Sequence, residues 1–195
     1  MSLVADFYLY GVHVTKDEDK AQILIDRAVE LGDADGINLL AECLASGLNG
    51  ECDQGRALML FHQAADRGSI QAHAHLYQHY NSDKMGSRNK TRAMEHLQKA
   101  AAGGHADAEY VLGFAYINGD GVPRDEAKGL EWTKRSASHG SPEGLYNLAV
   151  LYYRGIGVEA NEREGRKWLR LALEAKSESA LRLVAEHPEL LSVSE

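Results

Sequence analysis

Apolar positions recur along this 195-residue chain with a period of 36 residues. One column of aliphatic residues consists of Leu40, Leu76, Leu112, Leu148 and Val184. A second apolar column, four residues later, consists of Leu44, Tyr80, Tyr116 and Tyr152. A spacing of four places both columns on one face of an α-helix. A third column holds only small residues, which let a neighbouring backbone approach: Gly36, Ala72, Ala108, Gly144 and Ala180. These columns predict the first helix of a repeating unit, which we call helix A.

A second helix, helix B, is predicted to follow in every unit. Its start is marked by short side-chain acceptors that can bond the free N–H groups of a first helical turn: Asp17, Asp53, Asn89, Asp125 and Asn161. Its inward face is assigned to Ala21, Ala57, Ala93, Gly129 and Gly165 and, three residues later, to Leu24, Leu60, His96, Trp132 and Trp168. Its end is marked by glycines of the kind that follow helix C-termini: Gly32, Gly68, Gly104 and Gly140.

The apolar stripes on both helices cannot be buried within one helix pair, so neighbouring pairs are expected to stack. We therefore predict an all-α fold, a right-handed α/α superhelix (solenoid) of helix-turn-helix repeats. The expected repeats span 1–33, 34–69, 70–105, 106–141 and 142–177, with a capping helix at 178–188 that ends at His187 and Pro188. This arrangement predicts eleven helices and a single repeat domain over 1–195.

The repeat at 106–141 resembles the Sel-one-like repeat, a longer-looped relative of the tetratricopeptide repeat. The residues that carry the resemblance are Ala108, Tyr110, Leu112, Gly113, Tyr116, Gly119, Gly121, Val122, Asp125, Gly129, Trp132, Ala137 and Gly140. The repeat at 142–177 matches in Tyr146, Leu148, Tyr152, Gly155, Gly157, Val158, Trp168 and Ala172, whereas the loop at 82–87 departs from the pattern. The resemblance implies a scaffold or adaptor that holds a partner protein or peptide, often in bacteria. One subgroup pins its helix pairs with disulfides. This chain has alanines at the corresponding helix B positions, so Cys43 and Cys52 are expected to be free.

Composition narrows the class of partner. The chain has 29 acidic and 21 basic residues, for a net charge of −8, which disfavours nucleic acid and anionic membrane surfaces as partners. No apolar run is long enough to insert into a membrane. A cytoplasmic location is favoured over a periplasmic one, because no signal peptide is visible and the cysteines are few.

The sequence gives little support for a catalytic or metal-binding site. His75 and His79 have the i, i+4 spacing of metal ligands, with Asp83 one turn further, but His79 lies in a column of packing residues. The glycine loops at Gly119 and Gly155 lack the Gly-Lys-Ser/Thr sequence of a phosphate loop. We therefore expect no cofactor, no metal and no enzymatic activity. A basic stripe on helix B is interpreted as a solvated face: Arg163, Arg166, Lys167 and Arg170.

The helix A surface is the candidate binding site, because the resemblance implies that helix A lines the concave side. In the first half its inward positions are polar, and they are Asp35, Asn38, Glu42, Gln71, Ala74 and Gln78. In the second half they combine large anchors with charged neighbours, as peptide-docking surfaces do: Asp107, Tyr110, Phe114, Ile117, Glu143, Tyr146, Val150, Tyr153 and Arg182. Ile117 and Tyr153 have no core partner that the sequence identifies, which favours a ligand-facing role.

The resulting hypothesis is a non-catalytic scaffold or adaptor that binds a protein or peptide through its concave surface. A receptor for a glycan or small ligand in the same groove is the alternative, with Asp107 and Glu143 as hydroxyl partners. A structural spacer in a larger assembly is a third. Salt-sensitive capture of a protein would favour the first, a sugar-dependent melting shift the second, and neither result the third.

Overall fold

The computed structural model describes residues 2–48, 52–82 and 88–191, and these residues form α-helices without a β-strand. The helices are α1 Ser2–Tyr10, α2 Glu18–Glu30, α3 Ala34–Ser46, α4 Gln54–Asp66, α5 Ile70–Asn81, α6 Lys90–Ala102, α7 Ala106–Asn118, α8 Glu126–Ser138, α9 Pro142–Arg154, α10 Glu162–Glu174 and α11 Glu178–Glu186. A 3-10 helix, Pro188–Leu191, follows. The all-α class and the eleven helices are confirmed. Most of the atypical loop, including Asp83, lies outside the described residues.

The residues predicted to cap the N-termini of the B helices do cap them. Every member of the helix B capping column accepts a hydrogen bond from the backbone N–H three residues later: Asp17, Asp53, Asn89, Asp125 and Asn161. Each bond satisfies a donor that has no partner within its helix.

The glycines after helix B adopt the left-handed conformation that only glycine takes without strain, as at Gly32 with φ 71° and Gly140 with φ 83°. One repeat later the same position is Lys176, which keeps this conformation at φ 61° without being a glycine.

The chain divides into two compact bodies, an N-terminal body Met1–His96 and a C-terminal body Leu97–Glu195, with the division inside α6. In the N-terminal body, the core clusters centre on buried residues such as Ile25, Ile37 and Leu76. In the C-terminal body, Leu148 and Leu169 are at the centre. The prediction of a single repeat domain stays a prediction.

The close approach of helix B to the next helix A is confirmed in both bodies. A Cβ on Gly36 would collide with Ala28, and a Cβ on Gly144 would collide with Ser136. In these two repeats the small residue of helix A therefore packs directly on Ala28 or Ser136, near the end of the preceding helix B.

One of the two predicted inward columns of helix B is confirmed, because Ala21, Ala57, Ala93, Gly129 and Gly165 are all buried. The second column is displaced by one residue from its predicted position. The predicted column of Leu24, Leu60, His96, Trp132 and Trp168 is only half-buried. The buried column is the next one: Ile25, Phe61, Leu97, Thr133 and Leu169. Successive residues of a helix point about 100° apart, so the tryptophans lie at the edge of the buried stripe. Thr133 fits the core because its hydroxyl donates to the carbonyl of Gly129 at 2.8 Å.

Candidate functional site

The predicted binding residues lie on α7, α9 and α11 of the C-terminal body, where α9 contacts both other helices. Among the aromatic residues of this predicted set, Phe114 is the most exposed, at 50%. Arg182 on α11 is exposed. Four further residues are half-buried: Tyr110, Tyr146, Val150 and Tyr153. Burial, Glu143 and Tyr146 together raise the pKa of Tyr110, which places it beside α9. The structure thus collects aromatic side chains on two contacting helices.

Ile117 and Tyr153 have core partners, contrary to the sequence-based expectation. A Cβ added to Gly129 would lie 2.5 Å from Cγ1 of Ile117, and one added to Gly165 would lie 2.9 Å from the Tyr153 ring. Each large side chain therefore packs over a glycine of the helix B in its own repeat. Burial raises the pKa of Tyr153 although the Arg166 guanidinium acts against this.

The carboxylates of Asp107 and Glu143 take part in bonds between repeats. Ser141 Oγ donates to Asp107 Oδ1 at 2.8 Å, and Ser177 Oγ donates to Glu143 Oε1 at 2.7 Å. Each serine also accepts from the first turn of its own helix. Burial acts to raise the pKa of Glu143, but its hydrogen bonds from Ser179 and Ser177 outweigh burial and lower the pKa. These two acids hold successive repeats together.

A buried carboxylate that sequence reasoning missed lies in α7. Glu109 is fully buried and accepts from Arg135 Nε at 3.0 Å and from His139 Nδ1 at 2.6 Å. The signal was present, because Glu109 occupies the repeat position that is Ile37 and Leu145 elsewhere. A buried acid is stable only when such partners satisfy it, so Glu109 is a structural residue.

The N-terminal body contains a half-buried carboxylate, Glu42, at the junction of two cavities. Glu42 accepts from Asn38 Nδ2 at 2.6 Å and from His75 Nε2 at 2.9 Å, and its other oxygen accepts from the Tyr10 hydroxyl at 3.3 Å. Burial acts to raise the pKa of Glu42, but the bonds from these partners outweigh burial and lower the pKa. Burial and Glu42 raise the pKa of Tyr10 to about 12, so the phenol stays a donor at neutral pH.

The thiols and histidines occupy packing or hydrogen-bonding positions. Cys43 and Cys52 are both free, as predicted, with Cys43 buried and Cys52 exposed. Burial raises the pKa of Cys43 to about 11, which makes this thiol unreactive. His96 stacks on Tyr80 with ring centroids 5.8 Å apart. Among the residues that the structure describes, no cluster of three or more His, Cys, Asp or Glu side chains is arranged to hold a metal ion.

Two remaining features concern the surface. Within the described ranges no helix has the length and hydropathy to cross a membrane. The basic stripe is only partly a solvated face: Lys167 pairs with Glu164 at 3.6 Å, whereas Arg166 is half-buried.

Comparison with known proteins gives one family and several similar structures. The Sel1 repeat family matches residues 1–33, 34–69, 74–105, 106–141 and 142–177. The comparison with curated proteins gives no match.

Among solved structures, a Sel1 repeat protein from Oxalobacter formigenes is similar, with a TM-score of 0.82 and 18% identity over 98% of this chain and 80% of that one. A sel1 repeat protein from Klebsiella pneumoniae has a TM-score of 0.57 and 23% identity over 97% of this chain and 90% of its own. The immunity protein PA5088 from Pseudomonas aeruginosa has a TM-score of 0.61 and 26% identity over 90% of this chain and 66% of its own.

Proposed function

This chain belongs to the Sel1 repeat family, and from this membership we propose that it is a non-catalytic scaffold that binds a partner protein or peptide. Sel1 repeat proteins are generally protein-interaction scaffolds. We further assign the binding to the helix A surface of the C-terminal body, made of Asp107, Tyr110, Phe114, Ile117, Glu143, Tyr146, Val150, Tyr153 and Arg182.

Phe114 is the observation that carries this assignment. Its ring is 50% exposed on a helix whose other large side chains are at least half-buried. Tyr110 lies four residues earlier on the same helix face, and Tyr146 and Val150 have the same spacing on α9. Aromatic anchors among polar neighbours are typical of the residues that dominate binding energy.

The roles within this surface are unequal. Phe114, Tyr110 and Tyr146 are the anchors, because they are large and in part accessible. Ile117 and Tyr153 pack over glycines of helix B and so help to position the anchors. Asp107 and Glu143 accept from serines between repeats, and Arg182 is the exposed cation of this surface.

The experiment is a comparison of capture by the whole chain and by two variants. Phe114→Ala should weaken partner binding by about 1 to 3 kcal/mol, the range of a desolvated anchor, with little change in unfolding free energy. Met59→Ala is the matched control, because Met59 is an exposed large residue, at 66%, on a helix B. A host protein held by the parent and by the Met59 variant, but released by the Phe114 variant, supports the proposal.

Other outcomes separate the alternatives. Equal capture by the Phe114 variant, together with loss in an Arg163→Ala or Arg170→Ala variant, would place the site on the basic stripe instead. A melting shift that depends on a sugar would identify a glycan receptor. If neither a protein nor a sugar binds, the chain is a spacer.

A further inference from the structure

Two adjoining cavities lie in the N-terminal body, far along the chain from the surface proposed above. The larger has a volume of about 880 Å³ and is lined by residues of α1, α3, α4 and α5, including Ala45, Ala57 and Phe61. The smaller has a volume of about 610 Å³. Tyr10, Glu42 and His75 line both, so Glu42 lies where the two cavities meet. Volumes of this size are in the range of ligand-binding pockets.

The wall of the smaller cavity is acidic, whereas in the larger cavity Glu42 lies beside His75 and His79. The smaller cavity is lined by Asp6, Asp35 and Glu42, of which Asp35 also accepts from Ser69 Oγ at 2.8 Å. Among the described residues neither cavity has a lysine or arginine in its lining. Burial, reinforced by the charges of Glu42 and Asp35, raises the pKa of Asp6. Like charges held together in a part-buried wall repel each other, and a bound cation would relieve this repulsion.

An unsatisfied acceptor lies in the same wall. Asn38 is only 4% exposed, and its Nδ2 donates to Glu42 Oε1. Its Oδ1 is buried without a hydrogen-bond partner. A buried acceptor without a donor is destabilising, and a small rotation of the Asn38 side chain toward the cavity would let this oxygen accept from a ligand that brings N–H groups. This observation is independent of the charges.

Aromatic rings complete the site. Phe61 and His75 are stacked with centroids 4.7 Å apart and an interplanar angle of 27°. Phe7 and Tyr10 line the smaller cavity. Flat aromatic surfaces beside carboxylates suit a planar cation better than a compact one.

We propose that the two cavities form a second binding site, which takes the guanidinium of an arginine side chain in a partner peptide. Guanidinium combines a permanent charge, five N–H donors and a planar face, and so meets the three features of the wall together. The combined space exceeds what one guanidinium fills, which leaves room for flanking peptide residues. None of these residues belongs to the surface around Phe114, so the two sites succeed or fail separately.

The test uses the peptide acetyl-Ala-Arg-Ala-amide and the whole ¹⁵N-labelled chain at low ionic strength. Titration followed by amide chemical shifts should give saturable changes centred on α1, α3 and α5. The matched peptide with citrulline, which keeps the shape and loses the charge, should bind about tenfold or more weakly. Glu42→Gln should weaken the arginine peptide by a similar factor. Glu30→Gln is the matched control, since Glu30 is an exposed acid bonded to Arg27 and lines neither cavity.

Three results would overturn the proposal: no saturable shifts, equal binding of the citrulline peptide, or equal binding by the Glu42 variant. Equal binding of free arginine amide would overturn the assignment to a peptide. Circular dichroism checks that Glu42→Gln is folded. If it is not, Asp6→Asn serves in its place, with the same loss of affinity expected.

Discussion

The repeats at 34–69 and 142–177 differ in side-chain size at one pair of equivalent positions, where helix A faces helix B. In the second of these, Tyr153 on helix A packs over Gly165 on helix B. In the first, the equivalent residues are Ala45 and Ala57, and both line the 880 Å³ cavity. Two small residues on facing helices leave a space that a tyrosine over a glycine fills. The comparison shows that the side chains at these two positions differ where one repeat has a cavity and the other is filled.

A second position changes the chemistry of the two surfaces. Glu42 occupies the repeat position that is Phe114 and Val150 in the C-terminal body. The N-terminal body therefore has a carboxylate beside a cavity, and the C-terminal body has an exposed phenyl ring over a filled core. We infer that the two bodies recognise different groups, a cation in one and an apolar anchor in the other.

The largest effect is expected at Tyr153, where the comparison predicts a packing role. Tyr153→Ala should lower the unfolding free energy by about 2 to 3 kcal/mol, less than a fully buried aromatic because the ring is half-buried. Urea denaturation followed by circular dichroism measures this change.

Gly165→Ala provides the coupled control. Alone it should destabilise by about 1 to 2 kcal/mol, because the new methyl group would lie against the Tyr153 ring. Combined with Tyr153→Ala it reproduces the Ala45 and Ala57 pair, and should recover up to about 1 kcal/mol through helix propensity. Additive effects of the two substitutions would show that the residues do not pack on each other.

The sequence predicted the fold far better than the site. The 36-residue period located the helix caps, and Asp17 and its equivalents all cap as expected. Periodicity left the tryptophan column one residue from the buried stripe, since adjacent columns of Leu24 and Ile25 are both apolar. Periodicity could not show that Tyr153 packs on Gly165, because this contact is visible only once the two helices are placed side by side.

The sequence predicted a polar half of the helix A surface but not the cavity beside it. The inward positions Asp35, Asn38, Glu42 and Gln71 all line the smaller cavity. The smaller cavity depends on α1 lying beside α3, and the larger one, which Glu42 also lines, depends on the small side chain of Ala45. A list of polar residues contains neither of these packing properties.

A smaller effect of opposite sign is expected at Asp6. Its pKa is raised in the fold from 3.8, so it stabilises the fold when protonated, and this contribution is lost as pH rises through the folded pKa. Asp6→Asn should therefore stabilise the chain at about pH 7, by a few tenths to about 1 kcal/mol because solvent screens the group. The gain should vanish near about pH 3, where Asp6 is protonated in both states.

Urea denaturation at the two pH values measures this difference. The same variant should bind the arginine peptide more weakly. A variant that is less stable at neutral pH would show that the repulsion around Asp6 is absent.

The most direct measurement of the central claim is the affinity of the arginine peptide for the Ala45→Tyr/Ala57→Gly variant. This pair copies Tyr153 and Gly165 into the N-terminal body and places a ring where the larger cavity lies. Ala57→Gly alone, which leaves the cavity open, is the control. We expect the double variant to stay helical and to bind the peptide about tenfold or more weakly, while the single variant keeps its affinity. Unchanged affinity in a folded double variant would contradict the claim that these two positions determine what each body binds.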